Sequence, residues 1–255
     1  MIVDTHAHLH SDAFNDDRAA VFTRAQEHGV TCIINVGCDM ADSTAALATA
    51  RTYGGYASVG IHPHEAKDAP DDLEAAFAPF VADEKIVAIG ETGLDYYYDH
   101  SPRDAQARIL RAQLAIARNE RLPVIFHQRD AYDDFLAILR REWTNDMRGV
   151  IHCFTGDTAQ AKIFTEEFGL YLGIGGVYTF KTAQATRDAV AEVGISHIVL
   201  ETDAPYLAPI PFRGKRNESS YMTHTAERIA QELGRTPSSV IATTTANAKK
   251  LFSLP

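Results

Sequence analysis

Cysteine is scarce in this sequence: Cys32, Cys38 and Cys153 are the only three among 255 residues, and no two form a CxxC pair. That excludes a disulfide-built scaffold and fits a reducing cytoplasm. Long apolar runs are missing too. None approaches the roughly 18 residues that span a bilayer, and no basic stretch leads into an apolar one at the N-terminus, so neither a membrane span nor a secretory leader is expected. Positive charge is in short supply. Lys and Arg number 24 against 34 Asp and Glu, leaving a formal net charge of −10. This balance excludes a broad basic face for sequence-tolerant nucleic-acid binding. It leaves room for a few fixed cations that hold a phosphate in one cleft.

What is present is an alternation of short apolar stretches and longer amphipathic ones, with 45% apolar residues overall. Strands are expected at Ile2–Thr5, Thr31–Val36, Tyr56–Gly60, Ile86–Ile89, Pro123–Phe126, Gly149–Ile151, Leu170–Ile174 and His197–Leu200. Helices follow most of them. Phe14–His28 is one; Pro102–Glu120 is the clearest, with Ser101 as its expected N-cap and Asp104 as a capping-box acid; Thr236 and Pro237 open the last. Strands each trailed by a helix imply a parallel sheet with right-handed crossovers. Eight units in 255 residues fit a TIM-type (β/α)8 barrel forming a single domain over residues 1–255. An open doubly wound sheet normally carries a Gly-rich phosphate loop after its first strand. Here the first strand runs instead into DTHAHLH.

A barrel gathers the C-terminal ends of all its strands on one face, so its chemistry should stand there. Six of the 11 histidines, His6, His8, His62, His64, His127 and His152, fall at these ends, together with Glu91 and Asp203. Imidazoles with carboxylates suit divalent transition metals. His6, His8, Glu91, His127, His152 and Asp203 form the best ligand set. It exceeds what one tetrahedral catalytic ion needs, so two ions sharing Glu91 as a bridging carboxylate are expected. Asp4 is in phase with His6 and His8, and reads either as a ligand or as a support for the strand end.

The ordered pieces DTHAHLH, GIHPH, GETGLDYYYD, HQRDAYDD, IHCFTGD, ETDAPYL and RGKRNE resemble the TatD-type metal-dependent deoxyribonucleases from residue 1 to about residue 252. The resemblance implies a barrel and a divalent-metal hydrolase of DNA, often a 3′→5′ exonuclease on single strands in the cytoplasm. It implies metal ligation by His6, His8, Glu91, His127, His152 and Asp203, and places His62 and His64 near the substrate phosphate. One departure stands out. The family commonly has proline after RNE, whereas here Ser219 and Ser220 follow, so a looser loop is expected.

Around this site, Arg213, Lys215 and Arg216 form the only dense basic segment, just past the last strand. Arg213 reads as a phosphate contact, with a solvated charged loop as the bland alternative. Arg129 reads as a phosphate contact or a structural salt bridge. Tyr96, Tyr97 and Tyr98 read as base-stacking aromatics or as loop packing. Trp143 and Phe154 read as packing. Cys153 is not a nucleophile on this reading, because strand alternation turns it from the ligand face and no base accompanies it. Asp203 and Glu91 are the expected catalytic carboxylates, Asp203 by accepting a proton from the attacking water. Histidine-rich ligands suit Zn or Mn, while the family resemblance implies Mg. Single-stranded DNA is the expected substrate of a monomer with no obligate protein partner. Two rivals remain: hydrolysis of a carbon ester or amide, aminoacylated RNA included, and a metal-binding barrel without catalysis. No lysine stands at the fourth strand end, where many amidohydrolases bridge their metals with a modified lysine.

Overall fold

The computed structural model describes residues 1–255. Eight parallel strands, β1 (Ile2–Ala7), β2 (Val30–Asn35), β3 (Tyr56–Val59), β4 (Ile86–Asp95), β5 (Val124–Arg129), β6 (Gly149–Ile151), β7 (Tyr171–Ile174) and β8 (Ile198–Leu200), pair in sequence order. Backbone bonds then join the last strand's end to the first. The Asp203 N–H donates to the His6 carbonyl (2.9 Å) and the His8 N–H to the Ala204 carbonyl (2.7 Å). The result is the expected (β/α)8 barrel, wrapped by α1 (Arg18–Glu27), α2 (Met40–Tyr53), α3 (Leu73–Val81), α4 (Arg103–Glu120), α5 (Tyr132–Glu142), α6 (Thr158–Lys162), α7 (Gln184–Val193), α8 (Met222–Glu232) and α9 (Pro237–Phe252).

Apolar side chains of strands and helices form one core cluster of 53 buried residues. A smaller cluster ties Val3, Val87, Val150 and Val199 to Leu251 and Phe252 of α9. Burying these side chains is the main favourable term holding the helices on the sheet, at about 25 cal/mol per Å² of apolar area. Thr236 and Pro237 do start α9, and the Thr236 hydroxyl accepts from the Ser239 N–H (3.2 Å). Asn247 of that helix donates to the Ile195 and Ile198 carbonyls, both at 2.8 Å, pinning it to the start of β8.

Three local expectations are corrected. The first long helix begins at Arg18, because Asp12–Phe14 forms a separate 3-10 turn. Ser101 does not cap α4. Its hydroxyl instead donates to the His64 carbonyl (2.6 Å) and accepts from the Lys67 N–H (3.1 Å), stitching two loops at the barrel mouth. The fourth strand does not stop at Ile89: residues 92–95 continue the ladder against residues 126–129 of β5, after an irregular register around Glu91. Gly93 permits this approach, since a Cβ there would overlap the His127 carbonyl oxygen.

Candidate metal centre

The ends of β1, β4, β5, β6 and β8 bring His6, His8, Glu91, His127, His152 and Asp203 together. Glu91 is central, buried to 4% exposure, and its two oxygens face different partners. Oε2 lies 3.3 Å from His6 Nε2 and 3.9 Å from His8 Nε2. Oε1 lies 2.9 Å from His127 Nδ1 and 3.6 Å from His62 Nε2. Asp203 Oδ1 approaches His8 (3.5 Å), His6 (3.7 Å) and His152 (3.7 Å). Five donor groups overlap here: His6 with His8 and Asp203, His6 with His152 and Glu201, His8 with Cys38 and Glu91, His8 with His10 and Asp42, and His62 with Glu91 and His127.

Hydrogen bonds behind the cluster decide which nitrogen faces inward. His8 Nδ1 donates to the Val36 carbonyl (2.8 Å), so a neutral His8 presents the bare Nε2 to the centre. His127 Nε2 meets Asp95 Oδ2 at 2.9 Å, leaving Nδ1 to face Glu91. A bare imidazole nitrogen against a carboxylate oxygen is acceptor against acceptor. Such a pair needs a proton or a cation between its members. Burial alone would raise the carboxyl of Glu91, but His62 and His6 hold it well below the carboxylate range. Burial likewise lowers His152, yet the charge of Glu201, followed by that of Asp203, pushes it up to about 9. The donor chemistry and the inward-facing acceptors fit divalent ions.

His62 differs from its neighbours. Its Nδ1 accepts from the His64 N–H (3.1 Å), so its proton sits on Nε2, facing Glu91. Burial pushes its pKa down to about 3, which keeps the ring neutral. A neutral ring with Nε2–H inward is a hydrogen-bond donor and not a ligand. His64 does not join the centre; its Nε2 meets Asp95 Oδ2 (3.0 Å), beside Tyr98 and His100.

Sequence reasoning missed three residues. Asp95 is fully buried and holds both His64 and His127, and its Oδ1 accepts from the Tyr97 and Tyr98 N–H groups at 3.0 and 2.9 Å. Burial would raise its pKa, but His127 and the Tyr98 N–H hold it well below the carboxylate range. Glu201, 1% exposed, lies behind His152. Cys38, past the end of β2, has its Sγ 3.8 Å from Glu91 Oε2. The first two stand in GETGLD and ETDAP, four and two positions respectively from a residue already singled out. Strand phase marks Glu201 and Asp203 as neighbours on one face, and this signal went unused.

Asp4 supports the strand end. It is fully buried and accepts from the Thr202 hydroxyl, the Ser219 hydroxyl (both 2.7 Å) and the Thr202 N–H (3.0 Å). Burial dominates those hydrogen bonds and raises its pKa to about 7. This contact overturns the expectation of a loose loop after Arg216: Ser219 stands where the family commonly has proline, and it ties the loop to β1. Arg216 is also an anchor, donating to Asp17 and to the Ala13 carbonyl at 2.7 Å. Arg213 is exposed, rests over the Phe180 ring and makes no contact with the histidine cluster.

Arg129 has no acidic partner in ion-pair range. Its guanidinium lies 4.0 Å from the Tyr97 ring centre and 4.8 Å from that of Tyr98. With His152, Cys153, Tyr132 and Thr155 it lines a cavity of about 750 Å³ beside the centre. Tyr96 is held in the loop by Asp134 and Arg103, while Tyr97 and Tyr98 are half exposed. Trp143 and Phe154 pack as expected. For Cys153 the alternation argument fails: β6 ends at Ile151, and Cys153 takes a positive φ of 46°, donates its N–H to Glu201 Oε1 (2.7 Å) and lines the cavity. Its thiol has no base in hydrogen-bond contact.

Comparison with known proteins places these features. A profile of the family described as TatD related DNase matches residues 3–253. A metal-dependent hydrolase of Bacillus subtilis, YabD, described as uncharacterized, is 41% identical over the whole of both chains. The 3′-5′ ssDNA/RNA exonuclease TatD of Cronobacter sakazakii is 37% identical, over 98% of this chain and 97% of its own. Among solved structures, YjjV, a TatD homologue from Escherichia coli K12, superposes with a TM-score of 0.92 at 30% identity, over 100% of this chain and 98% of its own.

Proposed function

We propose that this chain, which belongs to the TatD related DNase family of metal-dependent hydrolases, is a 3′→5′ exonuclease that hydrolyses phosphodiester bonds of single-stranded DNA with two divalent ions. The observation that carries the metal reading is the division of Glu91, one oxygen toward His6 and His8 and the other toward His127. His6, His8, Glu91, His127, His152 and Asp203 would hold the ions. A pair of ions so held supplies Lewis acidity toward a phosphoryl oxygen and lowers the pKa of water at the site.

The chain's own groups supply the rest. Asp203 is ionised, its pKa lowered by His152 and by a hydrogen bond to His8 against the opposing effect of burial. It is therefore competent to accept the proton of the attacking water. The Nε2–H of neutral His62 is poised to donate to a phosphate oxygen beside Glu91. Arg129, unpaired and carried on two tyrosine rings at the mouth, offers a fork for the neighbouring phosphate. Tyr97 and Tyr98 offer exposed faces for stacking, which suits an unpaired strand better than a duplex. Arg213, over Phe180, is a second exposed cation for the strand farther out.

The test is degradation of single-stranded DNA labelled at the 3′ or the 5′ end, with magnesium or manganese, with chelator, and with Glu91→Ala in parallel. Metal-dependent early loss of the 3′ label, absent in the variant, is expected. Absence of cleavage by folded, metal-loaded protein would overturn the nucleic-acid reading and turn the search to carbon esters, amides and aminoacylated RNA.

A further inference from the structure

We infer that Cys38 is a ligand of this centre, so that its His8 and Glu91 side takes a thiophilic divalent ion of the zinc or cobalt type in preference to magnesium. The inference rests on the metal reading above and deepens it.

Three different donor atoms converge here. Cys38 Sγ, a His8 nitrogen and a Glu91 oxygen all lie within 4.8 Å of one another. This thiol is not a stray one on a loop. The same short segment that carries it builds the centre: the Val36 carbonyl accepts from His8 Nδ1 (2.8 Å), the Gly37 carbonyl from the Glu91 N–H (2.9 Å) and the Cys38 carbonyl from the His62 N–H (2.7 Å). The Cys38 N–H donates in turn to Asp42 Oδ2 (2.9 Å), whose other oxygen holds His10 Nε2 at 2.9 Å. A side chain at Gly37 would collide with Ser43, so the segment packs tightly on α2. The thiol is thus presented on a frame shared with three side chains of the centre.

A further observation brings more donor atoms to the same place. His8, buried to 9% exposure, spends its Nδ1–H on Val36, and its Nε2 faces Glu91 Oε2 at 3.9 Å and Asp203 Oδ1 at 3.5 Å. His8 Nε2 also lies 3.2 Å from His6 Nε2, so two imidazole nitrogens and two carboxylate oxygens converge at this point. The Cys38 thiol reaches the same Glu91 oxygen at 3.8 Å as a weak hydrogen-bond donor. An ion among the three satisfies all of them. A cavity of about 590 Å³, lined by His8, Cys38, Asp42 and Tyr206, gives it a way in from solvent.

The binding step is simple. The S–H bond of Cys38 breaks, its proton passes to water, and the sulfur lone pair forms the bond to the ion. Nothing is oxidised or reduced. Thiolate beside imidazole favours zinc and cobalt, whereas magnesium prefers oxygen donors and retained water.

Cobalt(II) reports sulfur ligation directly. Metal-stripped full-length protein is titrated with cobalt and its near-ultraviolet sulfur-to-cobalt charge transfer recorded, alongside the visible d–d bands that report binding of any kind. The charge-transfer band should appear in the wild type, persist in Cys32→Ser and Cys153→Ser, and vanish in Cys38→Ser, with Cys38→Ala as the second variant should serine disturb folding. Zinc affinity, measured by competition with a chelating dye, should fall at least about tenfold in Cys38→Ser, with one proton fewer released per ion and magnesium affinity unchanged. A charge-transfer band that survives in Cys38→Ser, or d–d bands without charge transfer in the wild type, overturns the inference. Failure to take up cobalt at all overturns it together with the metal reading. Charge transfer without DNA degradation leaves Cys38 as a ligand and removes only the substrate assignment.

Discussion

Glu201 Oε1 lies 2.9 Å from His152 Nδ1 and accepts the backbone N–H of Cys153 at 2.7 Å. One buried carboxylate thereby orients an imidazole and the backbone after it. With Nδ1 beside the Glu201 carboxylate, His152 turns Nε2 toward Asp203, the nitrogen a ligand would use. Glu201→Gln keeps the size of the side chain and an acceptor for Cys153, and removes the charge. Metal affinity should fall by about 10–100-fold while the circular-dichroism spectrum is kept. Chelator competition on the purified variant checks this.

The same contact predicts how metal uptake varies with pH. Burial lowers the pKa of His152, but Glu201, Asp203 and Glu91 together outweigh it and the pKa stands at about 9, above the ordinary 6.5. Protonation of His152 therefore stabilises the metal-free fold, fully below pH ~6.5, and this stabilisation is lost as pH rises through about 9. An ion bound at His152 replaces its proton, so apparent metal affinity should rise with pH over the same window. In Glu201→Gln the rise should move to lower pH. Affinity measured at intervals from pH ~6 to ~9 separates the two.

Arg129→Ala should leave the melting temperature unchanged, because the guanidinium has no acidic partner to strand. It should lower kcat/KM on single-stranded DNA by about 10–100-fold, the cost of one charged hydrogen bond. A matching loss in stability would show that Arg129 is structural.

Ser219→Ala removes one of the hydroxyls facing buried Asp4. Thermal and denaturant unfolding should show a loss of about 1–3 kcal/mol. Activity should fall through loosening of the last strand end, where Asp203 is carried, with KM changing less than kcat.

Asp17 and Arg216 join α1 to the last loop at the exposed rim. The Arg216 hydrogen bond, against a small opposing desolvation, lowers the Asp17 pKa to about 2. The sign is that of a depressed acid: its contribution is present above the unfolded value near 3.9 and lost as pH falls through about 2. Both side chains are one-third exposed, so Asp17→Asn should cost no more than about 1 kcal/mol at neutral pH. Acid unfolding of wild type and variant should converge only below pH ~2.

The barrel and the main donor set were legible because their signals are local. Apolar stretches of strand length, each followed by a helical one, imply parallel strands; parallel strands collect their C-terminal ends, and the histidines and acids stand at those ends. His6, His8, Glu91, His127, His152 and Asp203 could therefore be named without coordinates, and the tertiary structure brings all six together. Sequence periodicity was weaker where the backbone turns irregular, as at Glu91 within the long β4 and at Cys153, where β6 has already ended.

Only the tertiary structure decided which atom of each side chain faces which. Asp4 meets Ser219 across 215 positions, and Cys38 reaches Glu91 from a strand end that carries no histidine. His8 and His127 expose opposite ring nitrogens to the centre because Val36 holds one ring and Asp95 the other. Residue type and spacing set the inventory of candidate donors. The proton on a buried imidazole is placed by whatever polar atom packs behind it, and that neighbour comes from another strand.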